Sequence, residues 1–431
     1  MKRTLLSVPV AIMAAALCVT PSANATHGYF SYGYSTKSKG MGGTTVAFPE
    51  DSLVASVNPA GMAFVGNRMD AGIGVFAMRP KYTVTGERHA PPAFSLYPES
   101  QKSEKFSFPP HLGYNKVMAD GSTLGISIIT NGGANTRYPD DASGGTGTFY
   151  GGETGVRLEQ LFFLPTYAKM VDSKSAMGAS ALIAYQRFEA RGLNHFGPFV
   201  ADGNPDRLTD NGIDNATGLG WKFGYLTKLT PCLSLGASYA TRVKMERVTK
   251  YEDLLAQRGR FDVPPTGTVG LAWKPSAKSV VGLEVQRIWY TKIDAIANPF
   301  GNLLEGKHEG DPSKLLGGEN GPGMGWRDIT AYKLGYQWEA SRKMTYRCGA
   351  TYGRQPVKDS EMLFSLIAPA IQDLHLSAGF TRKMGATSEI SGALVFAPNK
   401  TVSGPNPLDP TQTITLKNHE FGAEVSWGKS F

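Results

Sequence analysis

Cysteine is scarce, long apolar runs are missing after the first two dozen residues, and charge of one sign never gathers. Three cysteines in 431 residues, with no metal-ligand spacing among them, exclude a disulfide framework and a zinc module. Cys18 falls in the leader, and Cys232 and Cys348 are expected to be free thiols on separate strands. No stretch beyond residue 25 approaches the ~20 apolar residues of a membrane helix. The net charge is +8, but basic and acidic residues alternate along the chain, so no nucleic-acid-binding patch is expected. Gly-x-Ser-x-Gly is absent and the seven histidines are scattered, which leaves a hydrolase without a nucleophile–base pair. His375, on the polar face of a strand, reads as a neutral wall residue. No enzymatic activity, metal or cofactor is expected.

What is present begins with an export signal. Lys2 and Arg3 precede a short apolar stretch over residues 5–19, and Ala23-Asn24-Ala25 supplies a small-x-small cleavage site, so residues 1–25 read as a cleaved signal peptide. A lipoprotein site at Cys18 would need a small residue where Leu17 stands. The rest carries most of the 51 glycines and 27 prolines, and its mean hydropathy, −0.22 for the whole chain, hides alternation. Phe421, Ala423, Val425, Trp427 and Phe431 fall on one face of the last segment, and Glu420, Gly422 and Glu424 on the other. Such alternation suits a strand with one face toward lipid and one toward a lumen.

Fourteen such segments can be read, and their connections sort by length. Short turns near 119–120, 171–173, 230–231, 275–277, 341 and 385 alternate with long connections at 85–105, 137–154, 191–215, 250–261, 297–325, 357–370 and 401–415. Short periplasmic turns and long extracellular loops are the habit of outer-membrane barrels. The pattern predicts an all-β fold: a 14-stranded antiparallel transmembrane β-barrel over residues 69–431, with both termini periplasmic. Trp273, Trp338 and Trp427 fall at the turn end, and Trp221, Trp289 and Trp326 at the loop end, as two interfacial girdles would require.

Residues 26–68 lack long alternation and are rich in small residues. Phe48, Val54, Val57, Met62 and Phe64 offer them an apolar face, so the segment is expected to form an N-terminal hatch, a plug inside the lumen. The order Gly40-x-Gly42-Gly43, Asp51 and Asn58-Pro59-Ala60 before the first strand resembles the long-chain fatty acid and hydrophobic compound outer-membrane transporter family (FadL/TodX type). Trp326-Arg327-Asp328, Thr345-Tyr346-Arg347-Cys348-Gly349-Ala350, Gln355-Pro356-Val357 and Pro369 extend the resemblance over nearly the whole mature chain. It implies passive uptake of hydrophobic molecules such as long-chain fatty acids or hydrocarbons. Loops capture the cargo, the hatch rearranges, and the cargo leaves sideways through the wall at a kinked third strand. Asn131-Gly132-Gly133 is the candidate kink, and Asn58 would lie beside it. A bulky residue at Gly132 is expected to reduce uptake by closing that opening.

Phe196 and Phe199 in one loop, and Leu254 and Leu255 in another, are candidates for the capture surface. A fatty-acid carboxylate would need a cation, for which Arg157 and Arg187, and also Lys244 and Arg347, are candidates. The expected partners are a hydrophobic small molecule and the lipid and lipopolysaccharide of the outer membrane, with the chain a monomer. The alternative is a general diffusion porin for small polar solutes.

Overall fold

The computed structural model describes residues 27–89 and 94–431; the expected signal peptide over residues 1–25 lies outside them. Fourteen barrel strands follow one another around a closed antiparallel sheet. β1 is Arg68–Met78, continued above the membrane as Lys81–Thr85, and β2 is assembled from Ser100–Lys102, Lys105–Ser107 and Pro110–Val117. Then come β3 (Thr123–Asn135), β4 (Gly155–Met170), β5 (Ser175–Arg191), β6 (Asp214–Thr230) and β7 (Leu233–Ala240, with Lys244–Met245). β8 (Thr266–Ser276), β9 (Ser279–Ile288), β10 (Ile329–Ser341) and β11 (Met344–Gly353) lead to β12 (Leu374–Lys383), β13 (Ser388–Asn406) and β14 (Asp409–Ser430). Pairing of Arg68 with Ser430 through Met78 with Glu420 closes β14 onto β1. Closure removes the sheet edges that hydrocarbon cannot solvate. No helix among the described residues is long and apolar enough to cross a membrane.

The side-chain alternation sets which face is out. On β14 Phe421 and Val425 are 49% and 52% exposed, while Glu420 and Glu424, one residue away, are buried. Barrels normally carry apolar residues outward and polar ones inward, and an even strand number brings both ends to the turn side. Trp221, Trp273 and Trp427 lie on the outward face as expected. Trp326 does not: it is buried and packs edge-on against Tyr290 inside the barrel.

The connection expected over 401–415 is also corrected. β13 and β14 stay paired to Asn406 and Asp409, so only two residues turn. Ile414 and Leu416 remain buried on the inner face, beside Tyr82 and Val84 of the paired β1 extension, so the alternation that builds a strand in the membrane continues above it. Pro405 and Pro410 made that stretch resemble a loop. Conversely β9 stops at Ile288, where Trp289 to Lys292 enter a helical turn, and does not run on to residue 296.

Inside the barrel lie residues 27–67. Helix α1 (Thr36–Gly40) is capped by the Ser35 hydroxyl, which accepts from the Ser38 amide, and two 3₁₀ turns follow at Val54–Ser56 and Pro59–Phe64. Ion pairs fix this segment to the wall. Arg347 of β11 donates to Glu50 at 2.7 Å, Lys37 reaches Glu389 at 2.5 Å, and Lys39 pairs with Glu424. Lys333 and Glu284, register partners on β10 and β9, pair at 2.9 Å, and Glu284 also accepts from the amides of Thr45 and Val46. Each buried charge thus meets an opposite charge or several donors, the condition under which burial is tolerated.

Candidate transport pathway

Above the hatch, the long loops fold inward and roof a cavity of about 750 Å³. Its wall comes from the inward faces of the upper strands, Val156 and Leu158 on β4 and Phe188 on β5. Its roof includes Leu254, Leu255 and Phe261, and Trp326 closes one side. Its floor is Tyr29 of the hatch. Among the described residues no charged side chain lines it. A site with such a lining favours an apolar guest.

Of the four loop candidates, Leu254 and Leu255 line this cavity directly. Phe196 stands behind it, stacked on Phe94 at 4.9 Å and edge-on to Phe364, itself a lining residue, at 5.5 Å. Phe199 lies further out, 5.7 Å beneath the Lys307 ammonium. The signal that would have found Val156, Leu158 and Phe188 was available. They are apolar residues at the inward parity of barrel strands, where polar residues are the norm.

The cationic candidates do not reach the cavity. β4 and β5 pair without a register shift, and Arg157, Glu159 and Arg187 share parity with the exposed Tyr167 and Ile183. They therefore project outward, away from the lumen. There Arg157 donates to Glu159 at 2.7 Å and Arg187 to the same carboxylate at 3.1 Å. Lys244 is exposed, and Arg347 is committed to Glu50 of the hatch. None of the four is placed to hold a carboxylate beside the apolar chamber.

The third strand does depart from regular pairing at the glycines. β3 follows β4 with a shift between Thr130 and Gly132, and pairs with β2 only as far as Ile129. Pro110 begins the membrane part of β2, and the chain above it turns to β1 instead, where Ser107 faces Phe76. Residues 131–135 are thus left without a β2 neighbour. The hatch occupies the vacated edge: the Ser31 amide donates to the Asn131 carbonyl at 2.9 Å and the Gly133 amide to the Tyr29 carbonyl at 2.8 Å. Asn131 adds a bond to Gln160 at 2.9 Å and accepts one from Tyr34 at 3.0 Å. At Gly132, with φ of +155°, a Cβ would stand 1.8 Å from the Tyr29 carbonyl oxygen. Only glycine allows the hatch to come so close.

Asn58, expected beside this kink, is elsewhere. Its amide nitrogen donates to the carbonyls of Val46 at 2.7 Å and Tyr225 of β6 at 3.0 Å, and its oxygen caps the turn at the Ala60 amide. Pro59 and Ala60 fill the space left by glycines on β5 and β6, since a Cβ on Gly178 would meet Pro59 at 2.5 Å and one on Gly224 would meet Asn58 at 2.0 Å. The Asn-Pro-Ala segment is a seat near the turn end of the barrel, and Tyr29–Ser31 is the segment at the gap. Next to that segment lies a second cavity, of about 560 Å³, lined by Phe30, Tyr34, Asn131 and Phe162 together with Lys222 and Lys333. Lys222 donates to the Ser56 carbonyl and Lys333 is held by Glu284. His375 is a wall residue, stacked on Tyr32 at 5.6 Å and 3.4 Å from Glu420.

A closed barrel, a plug filling its lumen and an apolar chamber under folded-in loops define an outer-membrane transport barrel for hydrophobic compounds. The sequence profile of the outer membrane protein transport proteins (OMPP1/FadL/TodX) matches residues 16–402, and the chain belongs to that family. Among solved structures it is similar to the Pseudomonas putida toluene transporter TodX, with a TM-score of 0.65 and 19% identity over 93% of this chain and 99% of that one. A Pseudomonas aeruginosa FadL homologue gives a TM-score of 0.68 at 14% identity, covering 94% of this chain and 100% of that one. The Ralstonia pickettii toluene transporter TbuX gives 0.62 at 17%, covering 93% and 99%. At these identities the likeness is one of fold. No curated protein matches the sequence.

Proposed function

We propose that the chain admits neutral hydrophobic molecules, aliphatic or aromatic hydrocarbons before fatty acids, and releases them sideways into the membrane. The observation that carries this reading is the 750 Å³ chamber without a charged lining residue. A carboxylate left there would keep its desolvation cost unrelieved, whereas a hydrocarbon loses nothing by leaving water. Leu254 and Leu255 serve the chamber, and Phe196 and Phe199 order the loops around it. Residues 27–67 act as the hatch, with Asn58, Pro59 and Ala60 as its seat. Withdrawal of Tyr29–Ser31 from β3 would open both the chamber floor and the gap beside Asn131, Gly132 and Gly133. Arg157 and Arg187 take no part in cargo binding and brace the outer wall. The protein works as a monomer, contacts lipid and lipopolysaccharide on its outward face, and carries out no chemical step.

The test is uptake into cells that depend on the protein, comparing a labelled alkane or alkylbenzene with a long-chain fatty acid and a disaccharide. Neutral hydrocarbon should enter fastest, and the disaccharide should not enter until residues 40–61 of the hatch are deleted. Disaccharide entry through the intact protein would mark a diffusion porin. Preferential entry of the fatty acid would overturn the neutral-cargo reading.

A further inference from the structure

Just above the apolar belt, the outward face of β14, β1 and β2 carries an uncompensated row of lysines. Lys417 pairs in register with Lys81, and Lys81 with Lys102; Thr401 of β13 continues the row on the other side. All three lysines are exposed. Among the described residues none forms an ion pair with them, whereas the cations on the outward face of β4 and β5 are matched by carboxylates. Arg157 and Arg187 clamp Glu159, and Arg191 joins Glu153 to Glu189. Directly opposed like charges on neighbouring strands are unfavourable, because their side chains start only about 5 Å apart. Arg79, two residues before Lys81 on the same face, adds positive charge, and Glu104, two residues after Lys102, adds one negative charge.

The height of the row is set by the strands themselves. On β14 the outward face from Phe431 to Phe421 is apolar but for Lys429 near the turn end, and spans ten residues or about 25 Å of membrane thickness at ~3.3 Å per residue and the usual tilt. Phe421 lies level with Phe396 and, across Ala77, with Phe106, so these phenylalanines mark the loop-side edge of the hydrocarbon. Lys417 is four residues further, roughly 10 Å beyond that edge, where the phosphates of the outer leaflet lie. We propose that Lys81, Lys102 and Lys417 form a docking site for the phosphate groups of lipid A, the membrane anchor of lipopolysaccharide, with Phe106, Phe396 and Phe421 against its acyl chains. The bound phosphates supply the negative charge that the protein omits. The inference rests on the lipopolysaccharide contact proposed above and assigns it to one face of the barrel.

The experiment uses the full protein refolded in neutral detergent and titrated with bisphosphorylated lipid A, dephosphorylated lipid A and inorganic phosphate, with binding read by native mass spectrometry and by the shift in Tm. Wild-type protein should bind the bisphosphorylated lipid in a salt-sensitive manner and the other two far more weakly. The Lys81→Gln/Lys102→Gln/Lys417→Gln variant should bind it about a hundredfold more weakly, roughly fivefold per lysine. The matching triple Lys→Arg variant should bind as wild type does. If the triple Gln variant does not insert, each single Gln variant should show its fivefold loss. Lipid A binding by wild type that the Gln variants retain would overturn the site while leaving the lipid contact standing. Equal binding of the dephosphorylated lipid would likewise overturn the phosphate site while leaving the lipid contact standing, equal binding of inorganic phosphate would overturn the lipid A assignment, and failure of wild type to bind either lipid would overturn both.

Discussion

Replacing Gly132 by alanine tests the hatch and the wall at one atom. The added Cβ would lie 1.8 Å from the Tyr29 carbonyl oxygen, far inside contact distance, so Tyr29 must retreat. That retreat breaks the bonds from Gly133 to Tyr29 and from Ser31 to Asn131, at 2.8 and 2.9 Å. Two such bonds are worth roughly 1–3 kcal/mol net, which raises the detached fraction of the segment about 5- to 150-fold. The strain of alanine at positive φ is carried by the wall whether or not the hatch is docked, so it leaves this difference unchanged. The readout is the frequency of conductance openings in a planar bilayer, for protein whose heat-dependent gel mobility shows a correctly folded barrel. Openings should rise by at least fivefold, and small polar solutes should leak into cells. A Gly132→Ala barrel that inserts normally and opens no more often than wild type would refute the placement of Tyr29–Ser31 in the gap. The sign differs from the sequence-based expectation that bulk at Gly132 closes the wall, because the side chain points into the hatch.

Asn58→Ala should loosen the other end of the hatch by roughly 1–3 kcal/mol, since it removes the bonds to Val46 and Tyr225 and the cap at Ala60; protease cleavage of residues 40–61 from the periplasmic side should accelerate, and an unchanged rate would contradict the seat. Leu255→Asp places an unpaired carboxylate in the apolar chamber, whose burial costs roughly several kcal/mol, so neutral hydrocarbon uptake should fall about tenfold or more while the barrel still inserts and shows its heat-dependent gel mobility. The loop contact from Arg258 to Asp202, at 2.8 Å, holds the Asp202 carboxyl below its ordinary value, helped by the Asn204 amide. A depressed carboxylate stabilises above its unfolded value, about pH 4, and loses that contribution as pH falls through its lower folded value. Proteolysis of the loops at 192–213 and 246–265 should therefore stay constant from neutral pH to about 4 and quicken below it, and Asp202→Asn should abolish that step.

Sequence alone determined the barrel. Period-two alternation, as in Phe421 to Phe431 against Glu420 and Glu424, is a local property of a strand between lipid and lumen, and turn and loop lengths count strands without reference to contacts. The glycine and Asn-Pro-Ala segment was likewise legible as something other than barrel. Tertiary structure alone decided where the functional residues lie. Parity along β4 and β5 turns Arg157 and Arg187 outward and Val156, Leu158 and Phe188 inward, a result that depends on register. Asn58 lies away from the kink where it was expected, and Tyr29 stands there instead, because the hatch folds back on itself and the sites of its two ends depend on glycines in strands remote in sequence. The β13–β14 hairpin continues past its prolines because Ile414 and Leu416 find a buried face above the membrane. Periodicity is written in neighbouring residues, whereas a chamber or a gap exists only where distant segments converge.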